Sequence, residues 1–381
     1  MTIVLVQGRW GLRRNEGGRW QKEKRREGWG GGPPQAPRSL KSQGRGMVVD
    51  PVRQDAVVCS VCPRACALRP GQSGLCVVRA NEGGRIVLTA WGRSSGFAVD
   101  PIEKKPLYHF LPGTPVLSFG GIGCNLTCLF CQNSHLSRAR DLDRLGRPVA
   151  PEDLAAGARE HGCRSVAFTY NDPVPMLEYV ADVARACHAE GLRTVAVTAG
   201  YITPEARPTF FADIDAANVD LKAFSEGFYR RMASAHLAPV LDTLAWLARE
   251  TAVWLELTTL LIPGLNDSDD EIKALAAWVA ATLGPHVPLH LSAFHPAHRL
   301  RHLPPTPLAT LRHARALAQA EGLAHVYLGN VRDPDAGTTF CPACHARLIG
   351  REGFRLVTWS LDAAGRCLAC GHRLAGVFEA R

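Results

Sequence analysis

The chain has 381 residues, 46% of them hydrophobic, with 44 Lys/Arg against 35 Asp/Glu for a formal charge of +9. That length allows one large domain with smaller modules, and no apolar run approaches the roughly 20 residues of a membrane span. Residues 1–46 hold 11 Lys/Arg and 3 Glu, so most of the excess charge lies in one terminal stretch, and the nearly neutral body gives a nucleic-acid-binding protein little support.

Residues 1–46 are rich in Gly, Arg, Lys and Trp and lack a sustained apolar period, which reads as a disordered basic tail. Met1–Val6 is too short for a signal peptide, and basic residues follow it rather than precede it. Met47 stands just before the first ordered-looking stretch, where a native start would fit. Thirteen cysteines, eleven of them in three spaced groups, point to metal sites in a reducing cytoplasm rather than to disulfides.

Residues 47–110 read as a small cysteine-rich module with a connector. Cys59, Cys62, Cys66 and Cys76 lie within 18 residues, among prolines and glycines that permit tight turns. Zinc or an auxiliary iron–sulfur cluster would suit them, and the spacing does not choose. A strand-like run follows at 85–90. Prolines 101, 106 and 112 exclude a regular helix over 100–113. Tyr108 and His109 in this stretch either face a substrate or pack.

From Val116 the pattern alternates strand and helix through residue 332. Strand-like runs cover 116–119, 165–170, 194–198, 217–221, 253–262, 289–294 and 325–328, and helix-like stretches cover 151–161, 174–190, 239–249, 269–282 and 308–320. Such repetition implies an α/β protein with a parallel sheet and its chemistry at the carboxyl ends of the strands. The loop after the first run carries Cys124, Cys128 and Cys131 at C-x3-C-x2-C spacing. Three thiolates on one loop hold three corners of a four-iron cluster and leave one iron open; the alternative is a three-cysteine zinc site. Later strand ends present Asp172, then Thr198 and Gly200, then Asp220 and Lys222, then His295. Each also has a bland reading as a turn, cap, salt bridge or structural histidine.

Residues 333–381 contain Cys341, Cys344, Cys367 and Cys370, two C-x2-C knuckles 22 residues apart. Two such knuckles clamp one tetrahedral zinc, so this segment reads as a zinc-ribbon-like module, with a rubredoxin-like iron site as the alternative. Cys163 and Cys187 are left over and read as small buried apolar residues.

The C-x3-C-x2-C loop resembles that of the radical S-adenosylmethionine (SAM) superfamily. Asp100–Gly113, the loop ending in Gln132-Asn133, Tyr170-Asn-Asp-Pro, Asp220-Leu-Lys, Leu261-Ile-Pro-Gly and Tyr327-Leu-Gly-Asn330 together resemble the radical SAM enzyme of the AmmeMemoRadiSam system. That family is similar in its core to pyruvate formate-lyase activating enzymes. The resemblance implies a partial (β/α)6-type barrel, a [4Fe-4S] cluster on Cys124, Cys128 and Cys131, and reductive cleavage of SAM to a 5′-deoxyadenosyl radical that abstracts hydrogen from an unidentified substrate. It places Phe130, Asn133, Asp172, Thr198, Gly200, Asp220, Lys222 and His295 among the cofactor contacts, with Phe130 near adenine. It also implies a flavodoxin- or ferredoxin-like electron donor, and a protein or small-molecule substrate such as the other proteins of that system.

Three positions depart from the pattern. Asp172 stands where Glu is usual, Ala199 where Asn is usual, and Val197 where activating enzymes carry an Asp that helps hold a monovalent cation near Asp220. The rival readings are an activating enzyme for a glycyl-radical protein, and a metal-stabilised electron-transfer or RNA-binding protein without SAM cleavage.

Overall fold

Short apolar runs between turn residues become buried strands when helices cover both faces of a sheet. A computed structural model of the chain describes residues 55–379 apart from 142–145 and 147, and the backbone of 10–14 and 20–24. Eight strands form its main sheet: β1 (Gly96–Pro101), β2 (Pro115–Gly120), β3 (Ser165–Phe168), β4 (Arg193–Thr198), β5 (Ala216–Asp220), β6 (Trp254–Leu261), β7 (Leu289–Ala293) and β8 (Val326–Gly329). They lie side by side in chain order, and the sheet is open, with β1 and β8 at its edges. β2 to β8 run parallel, with Val116 beside Ser165 and Phe119 beside Phe168 at the first pairing. All seven anticipated strands form. β1, which pairs antiparallel with β2, did not stand out in the sequence.

The crossovers carry α1 (Pro151–Glu160), α2 (Leu177–Ala189), α3 (Arg207–Phe211), α4 (Leu237–Glu250), α5 (Asp269–Thr282) and α6 (Leu308–Ala320). α1 starts on Pro151, whose missing N–H costs nothing there, and places Glu152 and Asp153 at the positive end of the helix dipole. α5 is capped by the Ser268 hydroxyl, which accepts from the Glu271 N–H. Leu177, Val180, Val183, Ala184 and Cys187 of α2 recur at helical spacing and are buried against the sheet. Cys163 and Cys187 are both buried, as expected of small apolar residues. Among the described residues no helix is long and apolar enough to cross a membrane. In the basic tail the described backbone is an antiparallel pair, Trp10–Arg14 with Trp20–Lys24; the rest of 1–46 lies outside the described residues.

The connector of residues 100–113 closes the amino ends of the strands, opposite the cysteine loop. Glu256, near the start of β6, is fully buried. Its carboxylate accepts from the Tyr108 N–H (2.9 Å), the His109 N–H (2.8 Å) and the Trp254 indole (3.0 Å), and pairs with His290 Nε2 (2.7 Å). His109 also bridges the Tyr327 hydroxyl (2.6 Å) and the Ala375 carbonyl (2.8 Å). Tyr108 and His109 therefore pack and bond at the base. The C-terminal segment docks beneath them. Arg351 donates to the Tyr108 carbonyl (2.6 Å), and Leu111 and Val377 exchange backbone bonds with the segment opposite. A three-stranded antiparallel sheet (Thr339–Phe340, Arg347–Glu352, Arg355–Trp359) completes that segment.

This base has a pH signature. Burial holds His325 down to about 4 against the pull of Glu256, with His286 and His372 adding to the depression. Burial, then the neighbouring His325, holds His109 well below its usual range. Both stay neutral in the fold, whereas the unfolded chain protonates them below about 6.5. Stability is therefore complete above that pH and falls as the pH drops toward 4, by about 1.4 kcal/mol per pH unit per group. Urea unfolding is expected to show a loss of about 2 kcal/mol from His325 alone between pH 6.5 and 5. His325→Asn should flatten the slope in that window by the same amount.

Candidate active site

The cysteine loop begins where β2 ends, and its path is set by neighbours far away in sequence. Asn171, just beyond β3, accepts from the Gly121 N–H (2.9 Å) and donates to the Gly123 carbonyl (2.9 Å). Asn125 donates to the Tyr201 carbonyl (2.8 Å) beyond β4. Thr127 and Leu129 donate their N–H groups to the Ala233 (3.0 Å) and Met232 (2.8 Å) carbonyls. Arg64, from the N-terminal module, donates to the Asn125 and Ser234 carbonyls. Gly123 has φ +70°, and a Cβ there would stand 1.9 Å from the Cys76 carbonyl oxygen. Only glycine permits that approach.

Cys124, Cys128 and Cys131 are each half-buried on this loop. Burial raises the Cys124 thiol, and the nearby Asp172 carboxylate raises it further. Burial pushes Cys128 up to about 11 against the opposing pull of Lys222. Thiols so placed become thiolates by binding a cation. Among the described residues, no three sulfurs of this loop lie mutually within 4.8 Å. The residues fit a four-iron cluster: three soft donors on one loop stand beside an ammonium that offsets thiolate charge.

The strand-end candidates gather at this same end of the sheet because the strands are parallel. Asn133 donates to the Tyr170 carbonyl (2.8 Å), and Tyr170 itself holds a left-handed φ of +74°. Asp172 is buried. Its Oδ1 accepts from the Val174 N–H (3.0 Å) and the Thr198 hydroxyl (3.1 Å), and its Oδ2 from the Ala199 N–H (2.9 Å). Burial raises its carboxyl, while these donors pull it down. Gly200, at φ +64°, donates to the Thr198 hydroxyl (3.1 Å). Lys222 Nζ bonds Asp220 Oδ2 at 2.8 Å and lies 5.9 Å from the centre of the Phe130 ring. Burial would lower Lys222, but Asp220 and Cys128 outweigh it and hold the ammonium charged. Its backbone N–H donates to the Tyr229 hydroxyl (3.1 Å), which fixes the turn. His295 is exposed at the mouth, with Nε2 3.4 Å from the Asn330 carbonyl.

Sequence reasoning noticed Tyr170-Asn-Asp-Pro but not that Asn171 clamps the cysteine loop. It missed Arg64, Asn125 and Tyr229 entirely. Asn171, Asn125 and Arg64 lie in motifs that could have signalled a role, and Tyr229 does not.

The C-terminal knuckles close on one another. Cys341 and Cys370 sulfurs are 3.6 Å apart, and those of Cys344 and Cys367 3.7 Å. All four lie within 4.8 Å of one another. These distances are far too long for a disulfide and match the edge of about 3.8 Å expected of a tetrahedron with 2.3 Å zinc–sulfur bonds. Burial raises Cys367, but the N–H groups of Cys370 and Ala369 and the adjacent thiols outweigh it and bring it down to about 7. A metal ion suits this donor set.

Comparison with known proteins agrees with this geometry. The family described as the Radical SAM superfamily matches residues 120–278. The chain is 37% identical over 329 residues to "Uncharacterized protein MJ0808" of Methanocaldococcus jannaschii, a match covering 86% of this chain and 98% of that protein. It is 24% identical over 172 residues to the pyruvate formate-lyase 1-activating enzyme of Escherichia coli strain K12, covering 43% of this chain and 68% of the relative. It is 26% identical over 117 residues to the 4-hydroxyphenylacetate decarboxylase activating enzyme of Clostridioides difficile, covering 30% of this chain and 36% of the relative. With a matching domain built around three loop cysteines at the carboxyl end of a parallel sheet, the chain belongs to the radical SAM superfamily.

Proposed function

We propose that this protein is a radical SAM enzyme, like that of the AmmeMemoRadiSam system, that binds a [4Fe-4S] cluster through Cys124, Cys128 and Cys131, cleaves SAM reductively and takes hydrogen from an unidentified substrate. The observation that carries the reading is the set of three half-buried thiols on the loop at the carboxyl end of β2. When bound, the cluster supplies the electron and the open iron at which SAM's C–S bond is split.

The chain's own residues supply position and charge. Lys222 compensates thiolate charge beside Cys128 and pairs with Asp220. Asp172 ties the end of β4 to the turn after β3 and has further lone pairs for a donor such as SAM's ammonium. Phe130 offers an aromatic face for adenine, Asn133 holds the end of the loop, and Thr198 and Gly200 bring backbone close to the ligand. His295 at the mouth is the contact open to substrate. In this reading residues 47–110 and 333–381 are modules flanking a core of 111–332, the C-terminal four cysteines hold zinc, and a cytoplasmic flavodoxin or ferredoxin donates the electron.

The likeness to two activating enzymes supports a second reading, in which the hydrogen comes from a glycine of a partner protein. Asp220 pairs here with the Lys222 ammonium, and Val197 brings no carboxylate, so the surroundings do not favour the monovalent-cation site of that group. An electron paramagnetic resonance signal from a glycyl radical, formed only with a partner, would support this reading.

The test is anaerobic. Protein reconstituted with iron and sulfide is given SAM and a strong reductant, and 5′-deoxyadenosine is measured by mass spectrometry. The wild type is expected to form it, and Cys128→Ala to form at least about 100-fold less. A protein that takes up no cluster at Cys124, Cys128 and Cys131 would overturn the proposal.

A further inference from the structure

A second set of cysteines stands behind the catalytic loop. Cys59, Cys62, Cys66 and Cys76 line a cavity together with Arg79 and Asn125, and about 360 Å³ inside it is free of atoms, its open mouth included. Asn125 directly follows Cys124, and the Cys76 carbonyl abuts Gly123. The two cysteine sites therefore share a wall one strand of backbone thick.

The spacing of the sulfurs separates two metal chemistries. One zinc draws four thiolates to within about 3.8 Å of each other, as the C-terminal knuckles display. Among the described residues the N-terminal cysteines do not draw together into such a four-sulfur group, yet all four line one cavity. The turns that carry them are tied by their own backbone bonds. The Cys59 N–H donates to the Cys66 carbonyl (2.9 Å), the Gly74 N–H to the Arg79 carbonyl (2.8 Å) and the Val77 N–H to the Gly74 carbonyl (3.0 Å). Arg64, between Cys62 and Cys66, is tied to the carbonyls of Asn125 and Ser234. A cubane of iron and sulfide binds each thiolate at its own corner and holds the four apart with its own body.

Arg79 gives an independent indication. It is 2% exposed, and its Nη groups meet Glu178 from α2. Its Nε–H is buried without an acceptor, on a side chain that lines the cavity. A buried donor left unpaired on a side chain that lines a cavity of thiols calls for an acceptor there, and cluster sulfides and thiolates are such acceptors.

We propose that Cys59, Cys62, Cys66 and Cys76 hold a second four-iron, four-sulfur cluster, with Arg79 Nε–H directed at its sulfurs, across one backbone strand from the catalytic loop. The assignment does not depend on chemistry at Cys124.

The test uses the full chain produced and purified without oxygen, with Cys124, Cys128 and Cys131 all changed to Ala. This variant is expected to retain about four iron and four sulfide per chain, to give the electron paramagnetic resonance signal of a reduced cluster with dithionite, and to hold about one zinc. About two zinc and no iron would overturn the proposal. Should that variant fail to fold, Cys62→Ala/Cys66→Ala in the otherwise natural chain decides. Loss of about four of about eight iron supports the second cluster, and an unchanged iron count with loss of about one zinc overturns it. Iron that persists in the triple variant and falls by about four in the double variant would uphold this site even if no SAM were cleaved.

Discussion

Gly123→Ala is expected to destabilise the protein by about 2–5 kcal/mol and to strip iron from the catalytic loop. Two costs add. A left-handed backbone is unfavourable for any residue with a Cβ, and here φ is +70°. The new methyl would also stand 1.9 Å from the Cys76 carbonyl oxygen and 2.7 Å from Val77 Cγ2. Neither side can yield cheaply. The loop is held by Asn171, Asn125 and Arg64, and the Cys76 turn by its own backbone bonds. Relief would move Cys124 away from Cys128 and Cys131, or Cys76 away from its three partners. Gly71→Ala is the control, since it carries the same left-handed strain at φ +76° with nothing within 4 Å. It should cost only about 1 kcal/mol and leave the iron content unchanged. Anaerobic urea unfolding and iron analysis of both variants check this. Equal behaviour of the two would mean that the contact with Cys76 is not rigid.

Glu256→Leu is expected to cost about 3–5 kcal/mol, or to prevent soluble expression. The carboxylate is completely buried and serves four groups on three segments: the Tyr108 and His109 amides, the Trp254 indole and His290. Leucine would leave these donors buried without acceptors. Glu256→Gln keeps one acceptor oxygen but turns an NH2 group toward former donors, so about half the loss is expected. The site lies at the amino ends of the strands, away from the cysteine loop. Glu256→Gln protein that folds should therefore lose thermal stability while cleaving SAM at a rate within about threefold of wild type. A selective loss of SAM cleavage in well-folded protein would instead tie this base to the chemistry.

Much of the architecture was legible because it rests on local rules. Buried parallel strands must be short and apolar, and helices between them must repeat near 3.6 residues, so all seven parallel strands and the five longer crossover helices could be marked from the sequence. β1 escaped because its apolar run, Phe97–Val99, is short and ends in Asp-Pro, and the strand gains its place by pairing along β2. The loop cysteines and the C-terminal knuckles were conspicuous because metal ligands on one turn need fixed short spacings. Asp172 and Lys222 could be picked out as strand-end polar residues. The pairing of Lys222 with Asp220, two residues away, was legible too, but the partners of Asp172 were not, because Thr198 and Ala199 meet it through strand order and register.

The sequence by itself determined the α/β class, the order of strands and helices, and the three groups of cysteines, since each depends on residue type at close spacing. Tertiary structure alone decided that Asn171, Asn125 and Arg64 shape the cysteine loop and that the connector bonds Glu256 instead of facing a substrate. It also decided that Cys59, Cys62, Cys66 and Cys76 line one cavity while the sulfurs of the C-terminal knuckles close together. The physical reason is the same in each case. Spacing along a chain limits which donors can meet, but the distance between them is set by the backbone bonds of the segments that carry them.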